Sequence, residues 1–213
     1  LATTASAQAQ AVAAKVQAAP KPKTPLYDEK ADADLQIKSA VAKAKRDGSR
    51  VLVMFGFNSC GWCHKLHDLF EKDKGIRKTL HDEYQVVMVD IKAPRSEEWL
   101  DKAHAALPKG EDGKQAGFPF LAVIDEDGKV VKGIATGPLE VGPAHDPAKV
   151  LAVLESSKAP ARDAAKSLEE AIARAKSEDK RVFLHFGAPW CGWCHKLDDF
   201  LAIPEVASIV GAD

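Results

Sequence analysis

All four cysteines of the chain fall in two identical runs, Cys60-Gly61-Trp62-Cys63-His64-Lys65-Leu66 and Cys191-Gly192-Trp193-Cys194-His195-Lys196-Leu197. Two thiols three positions apart meet on one turn of a helix, where they can cycle between dithiol and disulfide. The same spacing admits other chemistry. Cys-x-x-Cys-His is the attachment signature of a c-type haem, and two copies would make a dihaem electron-transfer protein. Cys60, Cys63, His64 and His67 could also offer four ligands to zinc. Against metal, His64 points away from a site centred on the two sulfurs, and the second copy has Asp198 where the first has His67. Against haem, each motif directly follows an apolar run suited to a buried strand, leaving little room for a haem pocket. A non-enzymatic interaction module is disfavoured because both cysteines stand in both copies.

Those motifs need elements to position them. Leu35, Ile37, Val41 and Ala44 recur near one face of a helix over Asp34–Asp47, and Gly48 follows where a helix end favours glycine. Val51–Phe55 reads as a strand buried on both faces. After Cys60, Leu66, Leu69 and Phe70 continue at helical spacing, which puts the motif at a helix N-terminus. Val86–Ile91 reads as a second central strand and Glu97–Ala106 as a helix containing Trp99. Phe118–Ile124 and Lys129–Val131 flank Asp125-Glu126-Asp127-Gly128 as a hairpin, and a helix from Pro147 to about Ser157 closes the unit. The order β-α-β-α-β-β-α implies an α/β fold, a mixed central sheet flanked by helices.

Ile37–Asp68 aligns without a gap to Leu168–Asp199, and half of the paired residues are identical. A repeat of this length is a duplicated domain rather than a solenoid unit. The second copy has a helix, a strand at Arg181–Phe186, the motif and its following helix, with no counterpart of Gln85–Ser157. Half a sheet exposes edges and an apolar face, so a partial second copy, truncated at 159–213, is expected after a first domain at 28–158. Residues 1–27 are set aside as a leader. Ala7-Gln8-Ala9 fits a signal-peptidase site, and Pro20, Pro22 and Pro25 among lysines make a stiff tether. Lys and Arg total 30 against 31 Asp and Glu, so no net field favours nucleic acid. No apolar run is long enough to span a bilayer.

The buried strand, Cys60-Gly61-Trp62-Cys63 opening a helix, and a later Gly117-Phe118-Pro119 before a hairpin together resemble the thioredoxin superfamily, most of all its exported bacterial members with a Cys-Gly-Trp-Cys site. The resemblance spans about 28–158 and part of 161–213. It implies a thioredoxin-like fold, a cis Pro119 whose loop faces the cysteines, protein thiols and disulfides as substrates, and no cofactor. A helix N-terminus favours the thiolate, which makes Cys60 the attacking sulfur and leaves Cys63 to resolve the mixed disulfide. Cys191 and Cys194 take the same roles in the second copy. Gly61, Trp62, Phe118, Pro119, Gly192 and Trp193 would face substrate. The family commonly has an acid six positions before the first cysteine; here that position is Met54, and in the second copy it is His185, a candidate for proton transfer. Ser59 replaces Trp190 at the rim. Lys65 and Lys196 add positive potential or form a solvated face. His81, His104 and His145 are expected exposed, Trp99 in the core and Asp90 in a turn. A periplasmic or secreted disulfide reductase fed by an upstream redox partner in the envelope or membrane is the implied role.

Overall fold

The computed structural model describes residues 25–108, 116–161, 163–188 and 190–210. Helix α1 (Ala33–Asp47) begins where the Asp32 carboxylate accepts the Leu35 N–H at 3.0 Å, satisfying a donor that the helix leaves orphaned. It stops at Gly48, whose φ of 69° suits a residue without a Cβ. The chain then enters β1 (Arg50–Gly56), with α2 (Gly61–Lys72), α3 (Lys74–Glu83), β2 (Tyr84–Asp90), α4 (Ser96–Ala105), β3 (Phe120–Ile124) and β4 (Val130–Ala135) following. A 3₁₀ turn at Gly137–Leu139 leads to a small hairpin of β5 (Glu140–Val141) and β6 (Ala144–His145), and α5 (Pro147–Ser156) closes the unit.

The main sheet runs β2-β1-β3-β4, with β1 parallel to β2 and antiparallel to β3, and β3 antiparallel to β4. The mixed sheet and the helices on its two faces match the sequence reading. Because side chains alternate along a strand, β1 supplies two cores. Leu52 and Met54 pack with Leu66, Phe70, Ile76, Leu80 and Leu154 from α2, α3 and α5. Val51, Val53 and Phe55 pack with Ile37, Trp99 and Ala103 from α1 and α4. Trp99 is core, as expected.

The β5–β6 hairpin and two further parts of this unit escaped the sequence reading. Asp73 both ends α2 and caps α3, its Oδ1 accepting the Ile76 N–H at 2.9 Å, so two short helices stand where one was read. Tyr27, set aside with the leader, is 1% exposed and belongs to the core. Ala7-Gln8-Ala9, Pro20 and Pro22 lie outside the described residues.

The second copy forms α6 (Ala164–Ser177), α7 (Gly192–Leu201) and α8 (Pro204–Val210), none with a buried residue. The strand expected at Arg181–Phe186 is not formed; residues 181–188 have no regular secondary structure. A strand is held by hydrogen bonds to a neighbour, and no counterpart of β2, β3 or β4 follows the second motif in this sequence. Phe183 and Phe186 are accordingly 65% and 84% exposed.

Candidate active site

β1 ends at Gly56, and a short loop turns the chain into α2. The Cys60 N–H donates to the Phe57 carbonyl at 3.0 Å, which closes that turn. Cys60 is the N-cap of α2, and its Sγ accepts the Cys63 N–H at 3.1 Å. Cys60 and Cys63 are joined as a disulfide with their Cα atoms 5.3 Å apart. An acceptor in this position becomes a better one as an anion, and the positive end of the helix adds to the effect. Cys60 keeps 7% exposure while Cys63 has none, so an incoming sulfur reaches Cys60 first.

The loop is braced from behind. Asn58 accepts the Tyr27 N–H at 2.9 Å and donates to the Tyr27 carbonyl at 3.0 Å, pinning the segment before α1 to the motif. His64 Nε2 pairs with the Asn58 carbonyl at 2.7 Å, so its ring turns away from the sulfurs and steadies the same loop. Among the described residues no three His, Cys, Asp or Glu side chains converge on a site that could hold a metal ion.

Opposite the motif, the Phe118–Pro119 peptide bond is cis, as the resemblance implied. The Phe118 carbonyl lies 3.6 Å from Cys60 Sγ, and the Phe57 and Phe118 rings meet edge to face at 6.0 Å. The Thr136 hydroxyl on the end of β4 donates to the Pro119 carbonyl at 2.5 Å and holds this loop in place. Gly61 is exposed, with nothing near enough to meet a Cβ, which leaves open space above the motif. Trp62 is half-buried, its ring edge-on to His145 at 5.3 Å. Lys65 Nζ sits 4.2 Å from the centre of the Trp62 ring and donates to the Pro143 carbonyl at 2.7 Å, which ties the β5–β6 hairpin to α2.

His145 departs from the sequence reading. It is 5% exposed, with no hydrogen bond at either ring nitrogen, because the hairpin folds it onto Trp62. Burial depresses its pKa below the ordinary histidine range, with Glu140 opposing and Lys65 reinforcing the shift.

Met54, where an acid is common, is fully buried and pairs across the sheet with Met88. Two polar groups lie nearby that the sequence reading did not place at the site. Asp90 does make the turn expected of it, its Oδ1 accepting the Lys92 N–H at 2.8 Å, but the residue is 1% exposed and its Oδ2 has no partner. The Tyr27 hydroxyl is likewise buried and unpartnered. Only a tertiary contact could have revealed either, since Tyr27 stands beside a Pro-rich tether and Asp90 at a strand end.

In the second copy the Cys194 N–H donates to Cys191 Sγ at 3.2 Å, and the pair forms a disulfide with Cα atoms 5.2 Å apart. A Cβ added to Gly187 would stand 3.4 Å from Cys194 Sγ and 3.5 Å from His185 Cε1, so His185 and Cys194 flank one point. His185 Nδ1 is 3.6 Å from Asp198 Oδ1. Trp190 and Trp193 are 59% and 79% exposed, and Lys196 Nζ lies 4.1 Å from the centre of the Trp193 ring.

Residues 37–141 match the family model of a thioredoxin-like domain, and residues 163–211 match a second thioredoxin-like model. The disulphide isomerase from Xylella fastidiosa Temecula1 superposes with a TM-score of 0.50 at 26% identity, covering 63% of this chain and 98% of that one. A thioredoxin from Thermus thermophilus gives a TM-score of 0.40 at 18% identity over 56% of this chain and 81% of that one. A structure named DsbH Oxidoreductase gives 0.37 at 18% identity over 70% of this chain and 96% of that one. No curated protein matches the chain. With one thioredoxin-like match on each cysteine motif and a mixed sheet that sets Cys60 against a cis-proline loop, the chain belongs to the thioredoxin-like proteins.

Proposed function

We propose that the chain is a thiol-disulfide oxidoreductase whose working centre is Cys60–Cys63, acting on protein disulfides as a reductase in the cell envelope. The observation that carries this reading is the N-cap position of Cys60, its sulfur 3.1 Å from the Cys63 N–H and beside the cis-proline loop. In the reductive direction the Cys60 thiolate attacks a substrate disulfide and forms a mixed disulfide, releasing the first substrate sulfur. Cys63 then attacks Cys60 Sγ, the mixed bond breaks, and two electrons have passed to the substrate. Gly61, Trp62, Phe118 and Pro119 form the substrate-facing rim. Ala7-Gln8-Ala9 supports export, which in turn calls for an upstream redox partner in the envelope or membrane. Cys191–Cys194, with Gly192 and Trp193 beside it, is a second exchange centre, and His185 serves its resolver as a proton acceptor.

The likeness to a disulphide isomerase favours a second reading, in which Cys60 shuffles substrate bonds and Cys63 only rescues stalled intermediates. Equilibration against glutathione separates the two directions. A reductase is expected near the thioredoxin value of about −270 mV, and a value near about −180 mV would favour the isomerase. With Cys191→Ser and Cys194→Ser silencing the second motif, Cys63→Ser is expected to accumulate mixed disulfides with protein substrates and to lose reductase turnover. Retained refolding of a scrambled disulfide protein by that variant would replace the first reading by the second.

A further inference from the structure

The resolving sulfur faces a buried polar pocket that the exchange mechanism above leaves unused. Gly56 ends β1 directly beneath Cys63. A Cβ added there would stand 2.6 Å from Cys63 Sγ and closer still to the Tyr27 hydroxyl, so the sulfur and the phenol share the space that glycine leaves free. Across the sheet Gly56 is in register with Asp90. Paired residues on neighbouring strands project to the same face, which sends the Asp90 side chain toward Cys63 and Tyr27. Leaving a buried carboxylate oxygen and a buried hydroxyl unpaired is costly, and such groups call for a functional account.

We propose that Asp90 is the proton acceptor for Cys63 and that Tyr27 steadies the Cys63 sulfur while it is anionic, together taking the part of the acid that Met54 lacks. The proposal rests on the exchange reading. Once Cys60 is bonded to a substrate sulfur, the Cys63 thiol passes its proton to the Asp90 carboxylate. The Cys63 thiolate attacks Cys60 Sγ, the Cys60–Cys63 bond forms, the Cys60–substrate bond breaks, and the departing substrate thiolate takes up the proton that Asp90 held. The substrate disulfide is the oxidant, and in the reverse direction Asp90 returns the proton to Cys63. Burial and the Asp90 charge hold the Tyr27 hydroxyl above the ordinary phenol range, so it stays protonated and donates.

The titratable groups facing this pocket are Cys60 and Cys63 from α2, Tyr27 from the segment before α1, and Asp90 from β2. β1 and β3 add Met54, Gly56 and Leu121, which do not titrate. Lys92 gives Asp90 a backbone N–H and is itself exposed. In the second copy Gly187 occupies the place of Gly56, and Cys194 Sγ and His185 Cε1 lie 3.4 and 3.5 Å from where its Cβ would stand.

The test is stopped-flow oxidation of the reduced full chain by 5,5′-dithiobis(2-nitrobenzoate), with Cys191→Ser and Cys194→Ser silencing the second motif. The first thionitrobenzoate released reports attack by Cys60, and the second reports resolution by Cys63. Asp90→Asn is expected to leave the first release within about twofold and to slow the second by roughly a hundredfold near neutral pH, the scale of general-base catalysis. The deficit should shrink about tenfold per pH unit toward the ordinary thiol range near 8.5. Tyr27→Phe, which removes a single oxygen, is expected to slow the second release with the first unchanged, and it carries the test should Asp90→Asn not fold. A second release that keeps the wild-type rate and pH profile in the folded variants overturns the proposal while the exchange reading stands. A wild-type chain that gives no second release overturns both.

Discussion

At the scale of single residues, the His145 imidazole sits against the edge of Trp62 with both nitrogens unpaired, so protonating it there creates a cation without an acceptor. Its folded pKa lies below the unfolded value of about 6.5, which means that the unfolded chain binds the proton more readily. The stability tied to the neutral ring is therefore complete above about pH 6.5 and is lost as pH falls from there toward the folded pKa. Thermal unfolding followed from about pH 7 to about pH 5 should show the wild-type melting temperature falling more steeply than that of His145→Asn. Parallel curves would remove His145 as an acid-sensitive point. The same ring packs edge-on to Trp62.

At the scale of elements, α4 and the residues that follow it pack closely against β4. Gly133 donates its N–H to the Ala106 carbonyl at 2.9 Å, and a Cβ there would run into the Ala103 carbonyl, with the Leu107 nitrogen 3.2 Å away. Backbone cannot move aside as a flexible side chain can. Gly133→Ala is expected to cost about 1–3 kcal/mol in urea unfolding, the range for overpacking, and a loss within about 0.5 kcal/mol would show that the layers have slack. The main elements were legible because their signals are local. Gly48 marks the end of α1, the apolar run over Val51–Phe55 marks a strand buried on both faces, and the Asp125–Gly128 turn marks a hairpin. α3 was missed although Asp73, Ile76 and Leu80 hold its cap and its buried positions, since Phe70 and Lys74 carry the previous helix up to it without an evident break. The β5–β6 hairpin is two residues a side, below what periodicity can show.

At the scale of the whole molecule, the two copies share a motif but not its surroundings. Cys60 and Cys63 are buried in the core on one face of the sheet beside a proline loop, whereas the segment before Cys191 has no strand partner among the described residues and exposes Phe183, Leu184 and Phe186. Hydrogen exchange should show amides of Arg50–Gly56 protected and those of residues 181–188 exchanging freely; comparable protection would mean that the second segment finds a partner in solution. The paired cysteines and the cis-proline were readable from spacing and resemblance. Tyr27 and Asp90 were not, because only the tertiary fold brings Tyr27 to Gly56 and only the β1–β2 register sets Asp90 beside it.

The most direct test of the central claim is insulin reduction by the full chain with dithiothreitol as donor, comparing Cys60→Ser with the Cys191→Ser, Cys194→Ser double variant. Cys60→Ser is expected to lose most of the wild-type rate, keeping only what Cys191–Cys194 supplies, and the double variant to retain most of it. A Cys60→Ser chain that reduces insulin as fast as wild type would contradict the assignment of Cys60–Cys63 as the working centre.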